Sequence, residues 1–265
     1  MIRPRPSFRH ATMMVCFLFE LVAGAAGAVE HDVAVSALTP LPAGILLPVQ
    51  LAKALHAGAT PKGTKIVLKT TQRVPVAEHL YLGRGAEVYG EVIASDAGNE
   101  KTARPPSLAL RITSLRYRHQ EVPLMTKAIA IANFTDVDET SLPPNGAIDR
   151  GNSNPASWTT TQVGGDEIYR SGWVGEVADT VMHTVGYADY YGVYRLPARD
   201  PKTGTMSLPR AMGVFSTTAE GLYGFDQNSH LTSSAGVITI VGGARTLVVR
   251  GGDDLLLEVV AGPSN

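Results

Sequence analysis

Between residues 45 and 51 the chain reads Ile-Leu-Leu-Pro-Val-Gln-Leu, with Ile45, Leu47, Val49 and Leu51 on one face and Leu46, Pro48 and Gln50 on the other. A period of two is that of a β-strand with one face in a core. Pro48 has no N–H to give to a ladder, which predicts an edge strand or a bulge at this point. Ala86, Val88, Gly90 and Val92 alternate in the same way with Glu87, Tyr89 and Glu91. That pattern predicts a half-buried strand with a wet face. Leu108, Leu110 and Ile112 against Arg111 and Thr113 repeat it, and GVITIV, RTLVV and DLLLEVV continue it near the end of the sequence.

Between these runs lie PAG, PKG, GRG, DAGN, VGG and RGG, all turn signals. Gly44, Gly85 and Gly252 are placed to let the chain turn sharply into strands. Tight glycine turns every 8 to 12 residues or so are the mark of an all-β sandwich or barrel of short antiparallel strands. No long amphipathic helix competes. In VGEVADTVMHTVGYADYYGVYRL the residues Val177, Val181 and Val185 recur at four, but the β-branched and aromatic content favours strands. DETSLPPNGAIDRGNSNPAS shows no apolar period and predicts a long Pro/Asn/Gly-rich loop or linker over 136–157. It divides the chain into an N-terminal β-unit, 36–135, and a C-terminal one, 158–262.

The first 28 residues read differently. Arg3, Arg5 and Arg9 precede the apolar run ATMMVCFLF, and LVAGAAGA then supplies small residues, the pattern of an export signal cut after Ala28. The uninterrupted apolar stretch from Ala11 to Phe19 falls well short of the ~20 residues a bilayer crossing needs. A periplasmic or extracellular address is therefore expected, with no transmembrane helix in the mature chain. Lys and Arg number 23 and Asp and Glu 24; without Arg3, Arg5, Arg9 and Glu20 they number 20 and 23, a formal −3. Such a surface offers nucleic acid no electrostatic footprint. The single cysteine, Cys16, leaves with the signal, so burial must stabilise the fold without disulfides.

Candidate chemistry is sparse. DVDET at Asp136 opens like a calcium loop but lacks its glycine and closing Glu, and reads as a solvated acidic turn. Asp253 and Asp254 are adjacent, so on a strand they point to opposite faces and do not share one proton; RGGDD reads as a turn. The histidines outside the signal show no metal spacing, Ser216 stands in no nucleophile elbow, and no cofactor is expected. Arg111, Arg116, Arg118 and His119 form a basic run that reads as an ordinary solvated face. The densest polar-aromatic stretch is WTTTQVGGDEIYRSGW, with YADYYGVY close behind it. Trp158, Tyr169, Trp173, Tyr190 and Tyr191 are the candidate contacts for a partner or a sugar, because aromatic rings give large contact area and a polar handle. The competing reading is that they seal a core or pack across a sheet.

LPAGILLPVQLAKALHAG, PVAEHLYLGRGAEVYGEVI and LALRITSLRYRHQEVPL together resemble the C-terminal β-barrel of the TrbI-type conjugal transfer proteins, channel subunits of type IV secretion. YLGRGAEVYGEV resembles that family's second strand at Gly85, Val88 and Gly90, and VRGGDDLLLEVV its closing strand. TTTQVGGDEIY, AMGVFSTTAEGLYGFDQ and GVITI resemble a group of uncharacterised exported bacterial proteins. The resemblance implies barrel architecture and a place in the cell envelope. The expected function is that of an exported, non-enzymatic structural or interaction module with an envelope protein or polysaccharide as partner. The alternatives are a carbohydrate-binding module and an envelope-polymer hydrolase.

Overall fold

The computed structural model describes residues 41–117, 120–141, 158–199, 204–234, 236–243 and 246–262. The predicted export signal, most of the predicted loop, Arg118 and His119 lie outside them. In chain order the strands begin with β1 (Leu46–Leu51), β2 (Leu55–His56), β3 (Lys65–Thr70), β4 (Val74–Ala77) and β5 (Leu80–Leu82). The long β6 (Glu87–Asp96) and β7 (Ser107–Tyr117) follow, then β8 (Gln120–Pro123) and β9 (Thr126–Ala132). After helix α1 (Phe134–Ser141) come β10 (Trp158–Thr161), β11 (Glu167–Arg170), β12 (Gly175–Ala178), β13 (Thr184–Asp189), β14 (Gly192–Arg195) and β15 (Arg210–Gly213). The remaining strands are β16 (Gly221–Tyr223), β17 (His230–Ser234), β18 (Val237–Val241), β19 (Val248–Val249) and β20 (Asp254–Val259).

The fold is all-β. Ten strands form one sheet in the order β16-β9-β20-β1-β3-β6-β7-β18-β17, with β8 on β7. This sheet rolls into a nearly closed barrel. At the seam the N–H of Ala128 on β9 donates to Ser233 Oγ on β17 at 3.0 Å, one side chain standing where a ladder would otherwise run. Leu47, Val49, Leu68, Val88, Leu110, Ile131, Ile240 and Leu257 fill the interior. β16, β17, β18 and β20, from the far side of the predicted loop, thus share a sheet with the strands before it.

β10 to β15 pair in sequence order as a second, curled sheet. It covers the outside of the barrel where β1, β9 and β20 run. Leu46, Ala130, Ala132 and Leu256 on those strands pack against Val163, Met212, Phe215 and Ala219 from the curled sheet and its flanking loops. Strands buried on both faces need apolar residues at every position, which is why β20 reads Asp-Leu-Leu-Leu-Glu-Val rather than alternating.

Two expectations are corrected. β1 is an interior strand between β20 and β3, not an edge. Pro48 is tolerated there because its nitrogen faces β3 where that ladder ends, and its carbonyl accepts from Thr71 N at 3.0 Å. The start of the predicted loop, including the DVDET turn, is helix α1. Asn133 caps it, its Oδ1 accepting from Asp136 N at 2.9 Å, and Asp136 lies in the first turn, where the helix dipole favours a carboxylate.

Candidate functional site

In antiparallel succession, the turn between β11 and β12 and the turn between β13 and β14 emerge at one end of the curled sheet. The second of these is Tyr190-Tyr191, and Asp189 builds it. Its Oδ1 accepts from Tyr191 N at 2.8 Å and Gly192 N at 2.9 Å, the side-chain device that makes Asp a turn residue. With the main chain held in this way, both rings project: Tyr190 is 65% exposed and Tyr191 52%. The Arg84 guanidinium, from the barrel, lies over the Tyr191 ring at 4.1 Å, a cation–π contact.

Beneath these rings lies Arg170 of β11, a buried arginine. Its Nη2 donates to Trp173 O at 3.2 Å and Asp189 O at 3.1 Å, and burial lowers its pKa from the usual arginine value. Arg170, Trp173, Tyr190, Tyr191, Gln162 and Ile168 line a cavity of about 40 Å³. That is room for no more than a few water molecules, so a larger ligand lies on the rim rather than inside.

Three of the five candidate aromatic residues therefore meet: Trp173, Tyr190 and Tyr191. Tyr169 is half-buried on β11, paired with Thr159 and Ala178, and does not line this cavity. Trp158 opens β10 opposite Arg170, and its side chain lies outside the described residues. Sequence reasoning missed Asp189, Arg170 and Arg84. Asp-Tyr-Tyr-Gly is a hairpin-turn signal that identifies Asp189; Arg84, about a hundred positions away, has no local signal.

On the face towards the barrel, Tyr187 and Tyr194 stack with centroids 4.6 Å apart. The Tyr194 hydroxyl lies 2.9 Å from Arg73 O and 3.0 Å from Asp189 Oδ2, and burial raises its pKa far above the usual tyrosine value. The turn that carries the exposed rings is thus tied to the barrel through Asp189.

Elsewhere, Asp253 does close a turn, accepting from Arg250 N at 2.6 Å, but it also accepts from Phe134 N at 3.0 Å and is fully buried. Asp254, 3% exposed, accepts from Gln50 Nε2 at 3.1 Å; burial, with Asp253 beside it, pushes its pKa up to about 7. A cleft of about 570 Å³ is lined by Asp136, Glu139, Glu167, Gln162 and Tyr223 among others. A wider one of about 700 Å³ opens at the barrel seam, with Lys127, Glu220, His230 and Glu258 on its walls. Lys127 pairs with Glu258 at 3.2 Å. Arg116 of the basic run pairs with Glu87, which also accepts from Tyr89 and lies well below the usual carboxylate range. Ser216 is buried, its Oγ 3.1 Å from Thr218 Oγ1. Among the described residues no three His, Cys, Asp or Glu side chains gather as metal ligands would.

No protein-family model, curated protein or solved structure matches the chain.

Proposed function

We propose that this is an exported, non-catalytic binding module of the bacterial cell envelope, and that it grips an envelope protein with the rim formed by Trp173, Tyr190 and Tyr191. The observation that carries this reading is the Tyr190-Tyr191 turn itself. Two large rings stand bare on a turn that Asp189 and Arg84 hold in place, so a partner gains aromatic contact area at small ordering cost. The sequence pattern of residues 1 to 28 supports export, and the likeness of the first strands to TrbI-type barrels supports an envelope address.

A polysaccharide is the second reading, favoured by the polar groups of Gln162 and Arg170 below the rings. The small cavity limits it to stacking on the surface.

The test is capture from a bacterial envelope fraction by the exported protein and by a Tyr190→Ala, Tyr191→Ala variant. A protein retained by the first and lost by the second supports the reading. Equal retention by both overturns it, as does release of fragments from purified envelope polymers that Glu167→Gln abolishes. Retention of polymer alone transfers the rim to the second reading. N-terminal sequencing of the exported form should begin at Val29, and a form retaining residues 1 to 28 would overturn the export step.

A further inference from the structure

Of the eight large hydrophobic residues that stand exposed among the described residues, seven belong to the turns and loops of the curled sheet. Val174, Tyr190 and Tyr191 are at the end that carries the aromatic rim. Val181, Met182, Leu196 and Met206 are at the other, where β12 turns into β13 and β14 leads into the loop before β15. Val181 is 66% exposed and Met182 64%. This tip is not loosely built. Asp179 Oδ1 accepts from Val181 N at 3.0 Å and His183 N at 2.8 Å, and Asp179 O accepts from Met182 N at 3.0 Å. Met182 is held at φ 65°, a left-handed backbone uncommon for any residue that carries a Cβ. Strain kept at an exposed apolar tip points to use of the tip.

The charge beside it is positive. Arg195 and Arg210 lie directly opposite each other in the β14–β15 pairing, and both are exposed. Like charges in that register repel unless an anion joins them. Among the described residues neither has an acidic partner. Arg199, exposed in the following loop, adds a third, its Nη1 turned to Gly204 O at 3.1 Å. Among the described residues, the acids at this end stand on the side of β10 to β12. Asp166 is engaged by Thr217 N and Oγ1, Asp179 by the tip and by His183 at 3.7 Å, and Glu167 lies on the acidic cleft.

We infer that this end of the curled sheet docks on an anionic lipid bilayer, Val181 and Met182 entering the headgroup boundary and Arg195, Arg199 and Arg210 meeting the lipid phosphates. Bare apolar side chains beside a basic group are what an interfacial anchor requires, since apolar burial and headgroup attraction add while neither alone suffices. An apolar pocket on a protein would take the tip but gives no role to two opposed arginines. The rim of Trp173, Tyr190 and Tyr191 lies at the opposite end of the sheet and remains free for its own partner.

The experiment uses the full chain with Cys16→Ser and Met182→Cys, the new thiol carrying an environment-sensitive fluorophore. Because the probe reports residue 182 alone, binding by the apolar stretch from Ala11 to Phe19 does not register. Vesicles of phosphatidylglycerol with phosphatidylcholine should shift the emission to the blue. Changing Arg195, Arg199 and Arg210 to Glu should weaken that response at least about tenfold, and added salt should weaken it too. In sedimentation with the same vesicles, Val181→Asp with Met182→Asp should reduce binding while leaving the circular dichroism unchanged. No shift, an equal shift with phosphatidylcholine alone, or a shift that needs an added envelope protein would each overturn the proposal.

Discussion

Gln72 accepts a hydrogen bond from the main-chain N–H of Gly213 at 2.9 Å, although the two are 141 positions apart. Its Nε2 donates to Val193 O at 3.3 Å, so one fully buried amide from the barrel's β3–β4 connection serves two backbone groups of the curled sheet. Those groups are available because the β14–β15 register shifts between Val193 and Tyr194, and a bulge leaves ladder groups unpaired. Gln72→Leu keeps the bulk but abandons both groups in the interior, at about 1–3 kcal/mol each. The expected loss is about 2–6 kcal/mol in urea unfolding. A loss under about 0.5 kcal/mol would show that the bulge finds other partners.

The same amide explains Gly192. A Cβ there would lie 1.9 Å from Gln72 Oε1 and 2.9 Å from Gly213 Cα, so Gly192→Ala displaces the Gln72 amide and presses on β15. Overpacking of this kind costs about 1–3 kcal/mol. Because Gln72→Ala removes the obstructing atoms, the double variant should lose less than the two single losses together, by at least about 0.5 kcal/mol. Strict additivity in a double-mutant cycle would contradict the contact.

What the pattern of residues revealed, and what it hid, follows from whether the cause is local. Period-two alternation over Ala86 to Val92 predicted β6 with its wet face, and Glu87, Tyr89 and Glu91 are half-buried there. Gly44, Gly85 and Gly252 do turn the chain, with φ of 87°, 82° and 98°. Pairing was not legible: β16 runs parallel to β9 although Gly221 and Ala130 are 91 positions apart, and no local signal announces that. Pro48 misled because the rule against proline concerns a missing donor, and whether the donor is missed depends on where β3 ends. At the rim, Trp173, Tyr190 and Tyr191 were visible as aromatic density. Arg84 was not, since only the docking of the curled sheet on the barrel brings it over Tyr191.

Helix α1 depends on the residue that precedes it more than on its own sequence, which carries little apolar content. Asn133 Oδ1 caps Asp136 N, and its Nδ2 donates to Gly224 O at 2.6 Å, joining the helix start to the end of β16. Asn133→Ala removes both and should cost about 1–2 kcal/mol. Asn133→Asp retains the cap acceptor but not the donor, so its loss should be smaller. Equal losses in thermal or urea unfolding would place the whole effect in the Gly224 bond and none in the cap.

Asp254 makes stability depend on pH in a direction opposite to that of a salt-bridged carboxylate. Its pKa is near 7 in the folded protein, against 3.8 for an unperturbed aspartate, because burial disfavours the charged form more than Gln50 favours it. Asp253 is raised as well, burial outweighing the N–H groups of Arg250 and Phe134. Between pH 4 and 7, roughly, the folded chain holds a proton that the unfolded chain has released, so stability is full below the unfolded value and falls as pH rises towards 7. Each pKa unit corresponds to about 1.4 kcal/mol, so the fall is on the order of 4 kcal/mol for Asp254. Asp254→Asn, neutral at every pH and still able to pair with Gln50, should flatten most of the slope. It should be more stable than the parent at pH 8 and close to it near pH 4. Urea titrations of both proteins across that interval decide the matter: a variant whose slope matches the parent's would mean that Asp254 is already charged inside the barrel wall.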